Sequence, residues 1–268
     1  MELRDVAIAG IYATRQARVI EESSSFQLAW EAVTGAVADA GLTLDEVDAA
    51  AVEFPGPGGV RGDSASWARL LGHPLRFVAD GVLDSAGARG ALKAAGAIAT
   101  GLCEVAVVGG AVGSGSAVPG GGSPTFPADG YAGRAAGAAV GAGRDPWGGY
   151  VAADFALVAQ RHMHEFGTTR EQMAEVAATI RNNGHANPEA VMYRRGPYTA
   201  QDVLDSRPIA TPFNLLDICL VAQGGAAVVL TTAERARDLR HAVVQLLGGA
   251  MEFNRAAWTG GSAYRECR

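Results

Sequence analysis

Between residues 5 and 111 the chain alternates short apolar blocks with segments whose apolar residues recur every three or four positions. The blocks DVAIAGIYA (5–13), VDAAAVEF (47–54), LRFVAD (75–80) and CEVAVVGGA (103–111) show no period-two alternation, which predicts strands buried on both faces. The segments 25–42, 63–72 and 85–101 predict helices, with serine at their entrances and glycine at their ends. Unalternating strands joined by helices make a mostly parallel sheet with helices on both sides.

The pattern breaks at residue 112. Residues 112–149, including GSGSAVPGGGSPTFPADG, are rich in Gly, Pro and Ser and too long for an ordinary connection. Two amphipathic helices are predicted over 149–167 and 169–186, then a loop over 187–217. GGAAVVLTT (224–232) returns as a strand, AERARDL (233–239) is a short charged helix, and AVVQLLGGAMEF (242–253) is one more strand. The organisation is a βα domain carrying a long mid-chain insertion.

Composition narrows the functional classes. With 49% hydrophobic residues, 36 glycines and only 7% aromatics, the chain suits closely packed helices on a sheet. A net charge of −6 argues against a nucleic-acid partner. MELRDVAIAG lacks the basic start and long apolar core of a secretory signal, and no apolar run is long enough for a membrane span, so a cytoplasmic location is expected. Cys103, Cys219 and Cys267 lie far apart with no CxxC, which predicts neither a metal site nor a disulfide framework.

Several chemical motifs fail on inspection. The first strand–helix turn, AGIYATRQAR, has one glycine where a dinucleotide fingerprint needs three. The glycines of 109–122 follow a strand with no helix start behind them, so they read as a lid or linker. GDS (62–64) with Asp238 and His241 in DLRH imitates a serine esterase, but GDS does not follow the first strand and Ser64 is accounted for as a helix cap. His162 and His164, two residues apart, fall on different faces of their helix and form no metal pair. His185, expected just past a helix end, either pairs with terminal carbonyls or serves function. Arg194 and Arg195, with Arg181 and Arg207 near them in sequence, form the one basic concentration of an acidic chain: a solvated surface or a phosphate site.

VAIAGIYAT, AWEAVTGAVADAGLTLDEVDAAAV and above all HMHEFGTTREQMAEVAATIRNNGHANPEAVMYRRGPYTAQDVLDSRPIATPFNLLDICLVAQGGAAVVLTTAERARDL resemble the thiolase superfamily, specifically its sterol-carrier or lipid-transfer-protein branch. The resemblance covers nearly the whole chain. It implies an α/β fold: a thiolase-like N-terminal domain with a five-stranded mixed sheet covered by helices, and a long, mostly helical loop-domain insertion that receives coenzyme A. The implied boundaries are 1–111 and 221–240 for that domain, 112–220 for the loop domain, and 241–268 for the start of a further, C-terminal thiolase domain.

In this family a cysteine stands at the entrance of the 85–101 helix, where backbone amides and the helix dipole lower a thiol pKa. Counting back from Ala91 and Leu92 puts Ser85 on that position, with Ala88 where a glycine is usual. A serine hydroxyl needs an adjacent base to act as a nucleophile, and a helix N-cap accounts for Ser85 without chemistry; both readings stand. Gln223 replaces the usual aspartate before the Gly-Ala-Ala strand, and the histidine and second cysteine of the C-terminal domain have no counterpart. The resemblance therefore implies binding of acyl-CoA thioesters, with His185, Tyr193, Arg194 and Arg195 toward CoA. It implies carbon–carbon bond cleavage or formation of aldol or acyl-transfer type without the usual cysteine. No cofactor or metal is expected, CoA entering as the substrate thioester. The expected assembly is a homo-oligomer, or a hetero-oligomer with a chain supplying the missing half or an OB-fold partner. The alternative is a non-catalytic thiolase-like subunit serving as scaffold or binding partner.

Overall fold

The computed structural model describes residues 2–53, 64–79, 87–113, 151–220 and 222–251. These fall into two compact units, one of residues 151–220 and one of the rest. In chain order the elements are β1 (Val6–Ala13), α1 (Ser25–Ala40), β2 (Ala49–Glu53), α2 (Ser64–Leu71), β3 (Phe77–Val78), α3 (Gly87–Ala99) and β4 (Val105–Val112). Then follow α4 (Val151–Phe166), α5 (Arg170–Ala186), α6 (Ala200–Asp205), β5 (Pro208–Ala210), β6 (Phe213–Asn214), β7 (Gly224–Thr232), α7 (Ala233–Ala236) and β8 (Val244–Gln245).

The first unit is a mixed sheet in the order β3-β2-β4-β7-β1-β8. β3, β2 and β4 run parallel, and β7, β1 and β8 join antiparallel. Alternate residues of each strand feed opposite cores, as the pleat requires. Val105, Val107, Ala50, Val52 and Val229 pack with α1, while Ala106, Val108, Ala49, Ala51 and Leu230 pack with α3. That double burial is why these strands read as continuous apolar blocks.

α1 is specified locally at both ends. Ser24 and Gln27 form a capping box, and Gly41 stops the helix in the left-handed conformation at φ 77°. Its buried stripe of Leu28, Ala29, Ala32, Val33, Ala36, Val37 and Ala40 follows the helical period. Small residues let it lie directly on β1: a Cβ added at Gly10 would stand 2.4 Å from the Ala36 carbonyl oxygen.

The sheet has six strands rather than the expected five. The strand expected over 242–253 contracts to Val244–Gln245, which pairs with Ala7 and Ile8 on the outer edge of β1. Two consecutive glycines, Gly248 and Gly249, remove the side chains that would extend it. The short helix expected over 233–239 ends at Ala236.

In the second unit α5 opens with a Thr169–Gln172 capping box and packs Ala174 and Ala178 against Val203 of α6. A largely buried ion pair joins Arg170 to Asp217, whose carboxylate also accepts the Asn214 N–H at 2.7 Å. The segment 187–217, expected as loop, contains α6, the β5–β6 pair and a short 3-10 turn over Leu215–Asp217. α6 is too short to show a hydrophobic period, yet Thr199 and Asp202 cap it reciprocally.

Candidate functional site

The carboxyl ends of β2, β3 and β4 share one edge of the sheet, where β1 also ends and β7 begins. In sheets with parallel strands this edge is where ligands bind. Ser85 lies outside the described residues, in the stretch between β3 and α3; the first described residue of α3 is Gly87.

Gln223 organises this edge. Its side-chain oxygen accepts the Ile20 N–H, its amide donates to the Gly113 carbonyl at 3.3 Å, and its backbone pairs in both directions with Ala17. Thr14 accepts the Gly225 N–H at 2.8 Å, and Ser25 accepts the Gly113 N–H at 2.9 Å. Thr14, Ser25 and Gln223 are all buried, so the exits of β1 and β4 and the entry of β7 are tied by satisfied polar groups. A neutral amide does this by donating and accepting at once, which a carboxylate in the same place cannot do.

In the second unit, His185, Tyr193, Arg194 and Arg195 gather at the carboxyl end of α5. The helix ends at Ala186, as the predicted span 169–186 has it, so His185 is its penultimate residue and lies within the helix, not just past it. Its ring does not meet terminal carbonyls. The Gly196 N–H donates to Nδ1 at 2.9 Å, which leaves the proton of a neutral ring on Nε2. The His185 carbonyl accepts the Arg194 N–H at 3.1 Å, so one residue clamps the turn from both sides. Arg194 sits at φ 57°, a left-handed conformation costing a non-glycine residue roughly 1 kcal/mol. Its guanidinium lies 5.0 Å from the centre of the Tyr193 ring.

Arg194 and Arg195 are exposed, and among the described residues neither forms an ion pair with a carboxylate. Arg181 is different: it donates to the carbonyls of Leu216 at 2.6 Å and Ile218 at 3.0 Å, over the Tyr198 ring. Its charge is committed to holding the chain. Arg207 is exposed.

Beside this turn runs an open, mostly apolar groove of about 520 Å³, lined by Met173, Val176, Ile180, Met192, Leu216 and Ile218 among others. The apolar periodicity of 169–186 predicts one buried face, but α5 carries two apolar stripes. Ala174 and Ala178 face the core, while Val176 and Ile180, two positions away and so about 200° around the helix, stand 64% and 65% exposed. That offset was the available signal.

The esterase imitation dissolves: His241 pairs with Asp39 of α1 at 3.0 Å rather than with Asp238. His162 lies against Phe166, with ring centres 4.8 Å apart and planes tilted by 46°. Among the described residues no cluster of three or more His, Cys, Asp or Glu has the arrangement of a metal site, and no helix is long and apolar enough to cross a membrane. Burial pushes the Cys103 thiol up to about 12, so it is inert at neutral pH.

The described residues thus form an α/β unit built on a mixed six-stranded sheet and a helical unit presenting exposed arginines beside an apolar groove. No protein-family profile matches the sequence. A steroid side-chain-cleaving aldolase of Thermomonospora curvata is 37% identical over 254 residues, covering 91% of this chain and 61% of that protein. The 17-hydroxy-3-oxo-4-pregnene-20-carboxyl-CoA lyase of Mycobacterium tuberculosis is 38% identical over 114 residues, 42% of this chain and 29% of that protein. Among solved structures, the Ltp2–ChsH2(DUF35) aldolase superposes with a TM-score of 0.77 at 33% identity, covering 98% of this chain and 65% of that one. The chain therefore belongs to the thiolase superfamily, among its SCP2-thiolase-like members. It spans less than two thirds of the length of these relatives.

Proposed function

We propose that this chain binds CoA thioesters and, together with a second polypeptide, takes part in aldol-type cleavage of a carbon–carbon bond without an acyl-cysteine intermediate. The observation that carries this reading is the pair Arg194 and Arg195. Two exposed cations with no carboxylate partner among the described residues stand on a turn clamped by His185, in a chain of net charge −6. Such a pair suits the phosphates of CoA. The relatives support the chemistry, being described as an aldolase and a CoA lyase, and the solved aldolase is a complex with a DUF35 partner.

In such a cleavage the bond between the α and β carbons of a β-hydroxyacyl thioester breaks. Its electron pair passes to the thioester oxygen as an enolate, the β-hydroxyl proton goes to a base, and the α carbon is then protonated. Serine at position 85 fits this scheme, since no thiolate is required. The acid–base groups are proposed to come from outside the described residues, a DUF35 protein like that of the solved aldolase being the candidate partner.

The test is calorimetric titration of CoA and a β-hydroxyacyl-CoA into the full chain, alone and mixed with an OB-fold DUF35 protein, with ketone release followed by mass spectrometry. Binding is expected, weakened about tenfold by Arg194→Ala with Arg195→Ala, and turnover is expected in the mixture and unchanged by Ser85→Ala. Binding without turnover would leave the scaffold reading. No binding of any CoA species, with or without the partner, would refute the proposal.

A further inference from the structure

We infer that His185 is a positioning residue that presents Arg194 and Arg195 to an anion while its ring is neutral, so that acidification releases the ligand from this turn. The inference rests on the CoA reading above and adds the regulation of that site. His185 holds both chain neighbours of Arg195. Its carbonyl accepts the Arg194 N–H at 3.1 Å, and its Nδ1 accepts the Gly196 N–H at 2.9 Å. Arg195 between them donates its own N–H to the Met192 carbonyl at 3.0 Å. Arg194 sits at φ 57°, a conformation that a non-glycine residue keeps where its surroundings impose it. The ring bond to Gly196 is one of the constraints that impose it.

That bond belongs to one protonation state. Nδ1 accepts because it carries no proton, whereas both ring nitrogens of the imidazolium are donors. Histidine is the side chain that changes charge between pH 5 and 8. When the ring takes a second proton from solvent, the Gly196 N–H loses its acceptor and meets another N–H. The charged and titratable groups of this helix end and of the turn that folds back on it are Arg181, Glu189, Tyr193, Arg194, Arg195 and Tyr198. Three are arginines, and among the described residues none of the six forms a hydrogen bond or ion pair with the ring. The imidazolium therefore gains no compensating partner there, and the turn opens instead.

The experiment measures CoA affinity of the full chain by calorimetry at pH 8 and pH 5.5, in wild type and in His185→Asn. Asparagine places an amide oxygen where Nδ1 stands, an acceptor that does not titrate. Dividing one affinity by the other removes the titration of CoA's own phosphates. A hydrogen bond of this kind shifts an equilibrium by roughly two- to tenfold, so the wild type should match the variant at pH 8 and bind about fivefold more weakly at pH 5.5. Hydrogen exchange of the 185–198 peptide, corrected for intrinsic rates, should show protection lost at pH 5.5 in wild type and kept in the variant. The wild-type profile alone is decisive if asparagine does not hold the turn, and tryptophan fluorescence verifies that the chain stays folded. Wild-type affinity that rises on acidification, relative to the variant, would mean that the imidazolium attracts the phosphates directly, and overturns the inference. So does wild-type protection equal at both pH values. Absence of CoA binding at every pH overturns the CoA reading together with this one, whereas binding without a wild-type-specific pH dependence overturns this one alone.

Discussion

Replacing Gln223 by leucine removes a side chain that satisfies two buried backbone groups and substitutes one of similar size that satisfies neither. The Ile20 N–H and the Gly113 carbonyl are then left without the partners they have in the native protein, at residues that are 2% exposed for Ile20 and buried for Gly113. Each orphaned group costs roughly 1–3 kcal/mol, so a loss of about 3 kcal/mol is expected for the pair. With a urea m-value of about 2 kcal/mol/M, the unfolding midpoint should fall by about 1.5 M. Trp30 and Trp67, stacked at 6.4 Å in the same unit, provide the fluorescence signal. Gln223→Glu supplies the control. Its protonated carboxyl can still donate to Gly113, but ionisation removes that donor and buries a charge. Its folded pKa is therefore raised, so its stability should approach wild type below the ordinary glutamate value of about 4.3 and fall as pH rises from there through the raised folded value. A midpoint within about 0.3 M of wild type for Gln223→Leu, or a pH-independent deficit for Gln223→Glu, would refute the role assigned to this amide.

Gly10→Ala drives a methyl group against the Ala36 carbonyl and Ala40 backbone nitrogen, 2.4 and 2.6 Å from the added carbon, and should cost about 2–3 kcal/mol by the same unfolding assay. Iodoacetamide at pH 8 should label the exposed Cys219 in the native protein and leave Cys103 unmodified until the chain is unfolded, as peptide mass mapping will show. The Asp39 carboxyl is held below its usual range, chiefly by the Ile11 N–H and then by His241 and Arg240. Its contribution is thus present above the unfolded value near 4 and is lost as pH falls through the lowered folded value. Asp39→Asn should therefore lower the melting temperature at pH 7 and leave it nearly unchanged at pH 2, measured by differential scanning calorimetry.

The elements that announced themselves did so because their cause is local. α1 carries its own caps and a full helical stripe, and β4 is apolar throughout because both of its faces are covered. The α6–β5–β6 region was hidden because its elements are short and are held from outside. The Arg170–Asp217 pair and the Asn214 contacts to the Val203 and Leu204 carbonyls come from other segments. Of the residues expected at the site, His185 was found in a different role from the one its position suggested, since its partner Gly196 lies eleven residues on, across a turn.

Residue order alone determined the alternation of buried strands and capped helices, the basic pair at 194 and 195, and the hydroxyl at position 85, because each depends only on near neighbours or on identity. Only the tertiary structure decided that Arg181 is spent while Arg194 and Arg195 have no carboxylate partner among the described residues, that Gln223 ties the exits of β1 and β4 to the entry of β7, and that Val176 and Ile180 line an open groove instead of a core. Charge neutralisation, hydrogen-bond satisfaction and burial belong to pairs of groups, and the partners here come from residues as far apart as Ile20 and Gln223.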